Sequence, residues 1–148
     1  MSKKILVAYD GSRGSEKTID VAASLAGGNG SEVWLLCAYS YEHVPPAFRN
    51  FAEAEGVTDP AEHLYYRYLV DHVMTPARER LKKAGVAKVE VALQQGDAAE
   101  VIVDFAREKV VDTIVIGSRG LSDLEGLVFG SVSHKVNHNA PCTCVTVR

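Results

Sequence analysis

The residues whose spacing most clearly suggests chemistry are glycines near the end of the chain. Gly117-Ser118-Arg119-Gly120 is followed, nine residues later, by Gly130-Ser131-Val132. Glycine lets backbone approach a ligand closely and accepts positive φ without penalty. Gly130-Ser131 opens a helical stretch, and the first amides and positive end of a helix hold an anion without a lysine. The chemistry this predicts is a phosphate cradle. The bland alternative is a surface loop with a glycine-capped helix start; by chance the spacing arises in about one such chain in a hundred. A second cluster is His134, His138, Cys142 and Cys144. Four such ligands suit zinc, but two cysteines one residue apart on a strand lack the usual ligand spacing, so no metal site is expected there. Cys37 falls in an apolar run and reads as a small core residue.

The elements that position the glycines follow from hydrophobic period. Ile5-Leu6-Val7-Ala8-Tyr9 and Val33 to Tyr39 are continuous apolar runs, as expected of strands covered on both faces. Val89 to Leu93 alternates, which predicts a sheet edge; Thr113 to Ile116 and Cys142 to Val147 complete the strands. Ile19, Ala22, Ala23 and Ala26 make a helical stripe that Gly27-Gly28 stops, and Ser12 is its expected cap. Asp97, with Glu100 three residues on, caps a helix whose stripe is Val101, Ile102, Phe105 and Ala106. Residues 42–60 carry Pro45, Pro46, Gly56 and Pro60 and read as an irregular loop. Leu69, Val73, Ala77, Leu81 and Ala84 then form one helical face, bent at Pro76, or two helices with Thr75 as the second cap. Tyr65, Tyr66 and Tyr68 near its start can cover a ligand pocket or a partner surface, with ordinary packing the expected role. Strand–helix alternation predicts an α/β fold, doubly wound on a mainly parallel sheet, in a single domain over 1–148. Ligands of such sheets sit beyond the carboxyl ends of the strands.

Composition narrows the function. With 148 residues, 47% hydrophobic, the chain can bury a core without staples, and a net charge of −3 gives no reason to expect nucleic acid or an anionic membrane as partner. No apolar run reaches the roughly 18 residues of a membrane span, and Asp10 cuts short the run behind Lys3-Lys4, so no export signal is expected. Three cysteines make no disulfide framework, and a cytoplasmic protein is expected.

Over nearly its whole length the chain resembles the universal stress protein family. The matching features are Ile5 to Ser12, Gly96-Asp97, Ile114 to Gly120, Phe129 to Ser133, and Ala140-Pro141-Cys142 leading to Val145 to Arg148. The glycine spacing resembles the ATP-binding branch. That resemblance implies an open five-stranded sheet in order 3-2-1-4-5, a homodimer, and a bound adenine nucleotide. It implies that Ala8 and Asp10 lie beside the nucleoside and that the backbone of Ala38 reads the adenine edge. It implies that Ile116 and Gly117 line the ribose side and that Gly120, Gly130, Ser131 and Val132 hold the phosphates. Ala38 stands where a larger apolar residue is common, and Glu125-Gly126 where a basic one is. A carboxylate there repels a triphosphate unless a divalent cation lies between them. Asp10 itself can bind ribose, adenine or a phosphate-bound Mg²⁺, or can cap the turn behind it; its place at a strand end favours binding.

No Gly-Lys-[Ser/Thr] loop is present, so no lysine is supplied to the β- and γ-phosphates and no catalytic residue is assigned. Three functions stay open: an ATP-dependent regulatory module with an unidentified client protein, a slow ATP hydrolase or adenylyl-transfer enzyme, and a nucleotide-free structural dimer. The final strand, Cys142 to Val147, is β-prone and uncharged, and is the expected dimer edge, with Val145 and Val147 at the seam.

Overall fold

Ile5, Leu6 and Val7 are all fully buried, although neighbours on a strand face opposite ways. Such a run requires cover on both faces of its sheet. The computed structural model, which describes residues 2–28, 30–56, 60–119 and 130–148, supplies it. Strands β1 (Lys4–Ala8), β2 (Glu32–Tyr39), β3 (Lys88–Gln95), β4 (Thr113–Gly117) and β5 (Thr143–Val147) form one open parallel sheet in the order β3-β2-β1-β4-β5. Helix α1 (Arg13–Ala26) packs on the face that holds Ile5, Val7, Leu35 and Val115. Helices α5 (Ala98–Lys109) and α6 (Ser131–Asn139) cover Leu6, Leu36, Ile114 and Ile116 on the other. The expected order holds, and β3 is an edge as its alternation implied.

The helix starts follow local chemistry. The Ser12 hydroxyl accepts from the Ser15 amide, and the Asp97 carboxylate from the Glu100 amide, each satisfying an orphan donor. Gly27 closes α1 in the left-handed region, as a glycine can.

Within the stretch 42–60, read as an irregular loop from its prolines, residues 46–54 form a helix. Helix α2 (Pro46–Ala54) starts with Pro46 in its first turn, where no amide is needed. Its Phe48 ring meets Tyr65 and Tyr68 at 5.2 and 5.3 Å, so the helix is held by packing that its own sequence does not reveal. Beyond it, α3 (Ala61–Tyr68), a π turn (Leu69–Met74) and α4 (Thr75–Lys83) follow one another without a break in helical backbone. This is the single bent helix, and the bend is the π turn. There the Thr75 amide donates to Val70 O, one residue further back than in an α-helix. The wider turn makes room for the Pro76 ring against the preceding carbonyls.

Strand β5 pairs with β4 alone among the described strands. The Ser118 amide donates to Val147 O at 2.8 Å, so Val147 turns its backbone groups toward β4. With a two-residue alternation, Val145 does the same, and Cys144 and Thr146 turn theirs to the open edge. Val145 and Val147 pack their side chains toward the α1 face. The backbone groups at the edge therefore belong to Cys144 and Thr146, not to the two valines.

One residue works against its local backbone. Val110 ends α5 at φ 53° while 75% exposed. Its amide and that of Val111 close the helix on Arg107 O and Ala106 O, yet a β-branched side chain is strained in that region. Val110→Gly should raise stability by about 0.5–1 kcal/mol, and the melting temperature by about 2–4 °C, after allowing for glycine's entropy cost. Scanning calorimetry would show this; an unchanged or lower melting temperature would mean that the turn carries no strain.

Candidate functional site

After β3 the chain crosses to the other side of β1, so the winding reverses between β1 and β4. Ala8, the last residue of β1, is in register with Ile116, the last but one of β4. At such a point the loops after adjacent strands diverge and leave a crevice. A cavity of about 880 Å³ opens there, at the carboxyl ends of β1, β2 and β4.

Six of the residues singled out in the sequence line this cleft: Ala8, Asp10, Ala38, Ile116, Gly117 and Val132. Gly130 and Ser131 start α6 just beside Val132 but do not line the cavity, and Gly120 lies outside the described residues, as does the Glu125-Gly126 pair. Sequence reasoning placed the far wall only in part, weighing Tyr65 as pocket cover but not Leu69. Gly96 and Asp97, flagged only as a motif, border the cleft from the end of β3, and Tyr65 and Leu69 border it from the bent helix. Gly96 sits at φ 145°, a conformation open to glycine, and sends its amide to Tyr39 O at 2.9 Å. The signal that could have placed this wall is the Gly96-Asp97 turn itself.

Asp10 does both things that its position allows. One carboxylate oxygen accepts from the Ser12 amide at 2.8 Å, pinning the turn into α1, and the residue also faces the cleft. Gly11, at φ 80°, lets the chain pass; a Cβ there would meet Val73 of the π turn at 3.0 Å. The loop carrying Asp10 is thus pressed from behind by the bent helix.

The glycine motif works differently from expectation. Gly117 does not adopt positive φ, and Gly130 is extended at φ −76° and ψ 164°, so neither backbone demands glycine. The need at Gly117 is spatial: a Cβ would lie 2.8 Å from Gly14 O. One at Gly14 would lie 2.6 Å from Arg119 O. The first turn of α1 and the end of β4 interlock, backbone against backbone. The Gly130 amide is already donated to Ser118 O, and the Ser133 hydroxyl donates to the same carbonyl at 3.0 Å. These bonds fasten the start of α6 to the end of β4, so a phosphate would meet α6 beyond Gly130.

Electrostatics add one detail. Burial, and then the nearby Asp10 carboxylate, push the Cys37 thiol up to about 12, so its sulfur is a neutral wall atom and no nucleophile. Tyr39, beside it on β2, is pushed up to about 12 by burial and then by its hydrogen bond with Tyr41. Among the described residues Asp10, Glu42 and Asp97 bring carboxylates to the lining and Arg119 a cation, and no lysine lines the cleft. Among the described residues no three His, Cys, Asp or Glu side chains stand together as a metal cage. No helix among them is long and apolar enough to cross a membrane.

An open, doubly wound parallel sheet with a cleft at its switch point defines an α/β protein of the doubly wound class. The sequence model of the universal stress protein family matches residues 1–148, and the chain belongs to that family. It is 32% identical to the universal stress protein YxiE of Bacillus subtilis over 163 aligned positions, covering the whole of both chains. Its fold is similar to that of a universal stress protein in complex with cAMP, with a TM-score of 0.67, 23% identity, and 99% and 96% of the two chains covered. It is similar also to that of the universal stress protein of Archaeoglobus fulgidus in complex with dAMP, with a TM-score of 0.67, 23% identity, and 99% and 98% covered.

The interlock has a direct test. Gly117→Ala should cost about 1–3 kcal/mol of stability with no ligand present, because backbone must move to admit the methyl. Urea denaturation of nucleotide-free protein measures this. An unshifted midpoint would mean that Gly117 is glycine for a ligand's sake alone.

Proposed function

We propose that the chain binds an adenine nucleotide, ATP in the first instance, in the cleft between β1, β2 and β4. In this reading it acts in the cytoplasm as a homodimeric regulatory module for a client protein, with little or no hydrolysis. What supports the reading is one convergence. Residues distant in sequence, Ala8, Asp10, Ala38, Ile116 and Val132, border a single cavity of nucleotide size at the switch point. Similar folds carry cAMP and dAMP. The Ala38 backbone would read the adenine edge, Asp10 would meet the ribose, and the first turn of α6 would face the phosphates with its positive end.

The lining also bears on metal and on turnover. Three carboxylates against one guanidinium make the cleft a poor host for a bare triphosphate. Mg²⁺ held by phosphate oxygens and one carboxylate, with Asp10 as the candidate, fits this donor set and needs no cage of protein ligands. The ion would supply charge neutralisation. With no lysine on the lining to reach the phosphates, retention of nucleotide is favoured over its cleavage.

Freshly purified protein should release an adenine nucleotide on denaturation, identified by its ultraviolet spectrum and chromatography. Gly130→Val should abolish binding by displacing the start of α6, since a side chain at this buried position strains the bond that fastens the Gly130 amide to Ser118 O. Asp10→Ala should weaken binding by about tenfold, a loss of roughly 1.4 kcal/mol. Titration calorimetry ranks the two; a greater loss for Asp10→Ala would put the weight of the site on that carboxylate. Turnover of many equivalents of ATP by catalytic amounts of protein would replace the regulatory reading with an enzyme.

The dimer we place at the open edge of β5, paired antiparallel with its copy across a two-fold axis. The outward backbone groups of Cys144 and Thr146 would make the ladder. Thr146→Pro should then give a monomer with the fold intact, whereas proline at Val145 would break the internal pairing with β4 instead. Light scattering at micromolar concentration decides: a monomeric wild type would remove the proposal.

A further inference from the structure

Tyr39 borders two cavities. One is the cleft described above; the other, of about 380 Å³, is lined by Tyr39, Tyr41, His63, Tyr66 and Arg67. The second is built from two separate parts of the chain. Tyr39 ends β2, and Tyr41 follows in a single 3₁₀ turn (Tyr41–His43). His63, Tyr66 and Arg67 lie three and four residues apart on α3, a spacing that puts all three on one helix face.

All five side chains end in flat π groups: three phenols, an imidazole and a guanidinium. The Tyr39 ring meets Tyr41 at 5.5 Å and 66°, and Tyr66 at 5.7 Å and 68°. Both pairs are edge-to-face, an arrangement in which rings are not stacked on one another and a further ring can add to the cluster. A volume of about 380 Å³ is that of a small-molecule site and accommodates a bicyclic arene. Tyr66 is 38% exposed, so the pocket opens to solvent.

Charge then selects among flat ligands. Three phenol rings alone would suit a cation, but among the described residues the same lining carries two basic side chains and no carboxylate. Arg67 already has a partner within the protein, so the rings do the holding and the basic groups set the preferred sign of the ligand. We propose that this pocket is a second binding site, separate from the nucleotide cleft, and that it takes a small planar aromatic acid. The site does not depend on the nucleotide reading, because no residue but Tyr39 is common to the two linings.

The probe is 2-naphthoate, with 2-naphthamide as its uncharged counterpart, titrated into the full chain and followed by calorimetry and amide NMR shifts. Saturable one-to-one binding of naphthoate at submillimolar concentration is expected, with shifts centred on Tyr41 and on α3. Tyr66→Ala, at a half-exposed ring, should weaken it by about tenfold or more, and Tyr41→Ala should do the same. Arg67→Gln should weaken naphthoate by at least about threefold and leave naphthamide unchanged. Saturating ATP should leave naphthoate bound. Absence of saturable binding at millimolar naphthoate would overturn the site, and so would wild-type affinity in both tyrosine variants. Displacement of naphthoate by ATP would overturn its separateness from the cleft. Equal affinity for acid and amide would overturn the preference for an acid.

Discussion

Gly14 and Gly117 stand so close that neither tolerates a methyl group, and the cleft depends on that contact. A Cβ on either would press within 3 Å of a backbone oxygen belonging to the other's loop. With both bare, the first turn of α1 settles against the end of β4. The loop that carries Asp10 is then held beside the one that carries Ser118 and Arg119. The Ser118 carbonyl extends the same chain of contacts to α6 through Gly130 and Ser133. Three elements that converge at the switch point are thereby held together by backbone contacts. Backbone contacts of this kind are rigid and indifferent to salt.

The opposite wall is made in another way. The bent helix reaches the cleft with Tyr65 and Leu69 and supports the Asp10 loop with Val73. Its π turn is what allows both, since an extra residue in the turn rotates the following face while Pro76 is accommodated. Met74, at the end of that turn, is fully buried against the sheet, so the irregular segment is anchored in the core. Helix α2 joins this wall through Phe48 and the tyrosines of α3. The result is a cleft with one side set by close backbone packing and the other by aromatic side chains. Tyr39 stands on the aromatic side, where the second, smaller pocket opens.

Membership of the universal stress protein family accounts for the sheet order and the glycine spacing. Glu42 and the neutral Cys37 thiol lie outside the matching segments and belong to this cleft's own lining. The raised thiol leaves the interior of the cleft without a nucleophile at Cys37.

The sequence by itself determined the strands, the helix starts at Ser12 and Asp97, the edge position of β3, and the doubly wound class. Each rests on period or capping within a few residues. It also pointed to the carboxyl ends of the strands, and five of the residues it singled out there, apart from Gly117, border the cleft. Tertiary structure decided the rest. It showed that Gly117 is glycine because Gly14 lies against it, a contact between residues about a hundred positions apart that no local pattern carries. It made a helix of Pro46–Ala54 by giving Phe48 a partner on α3, and it settled the bend before Pro76 as a π turn. It turned the backbone groups of Cys144 and Thr146, rather than those of Val145, to the open edge. Alternation along a strand is legible in sequence, but which phase meets the neighbouring strand is set only when the two are docked.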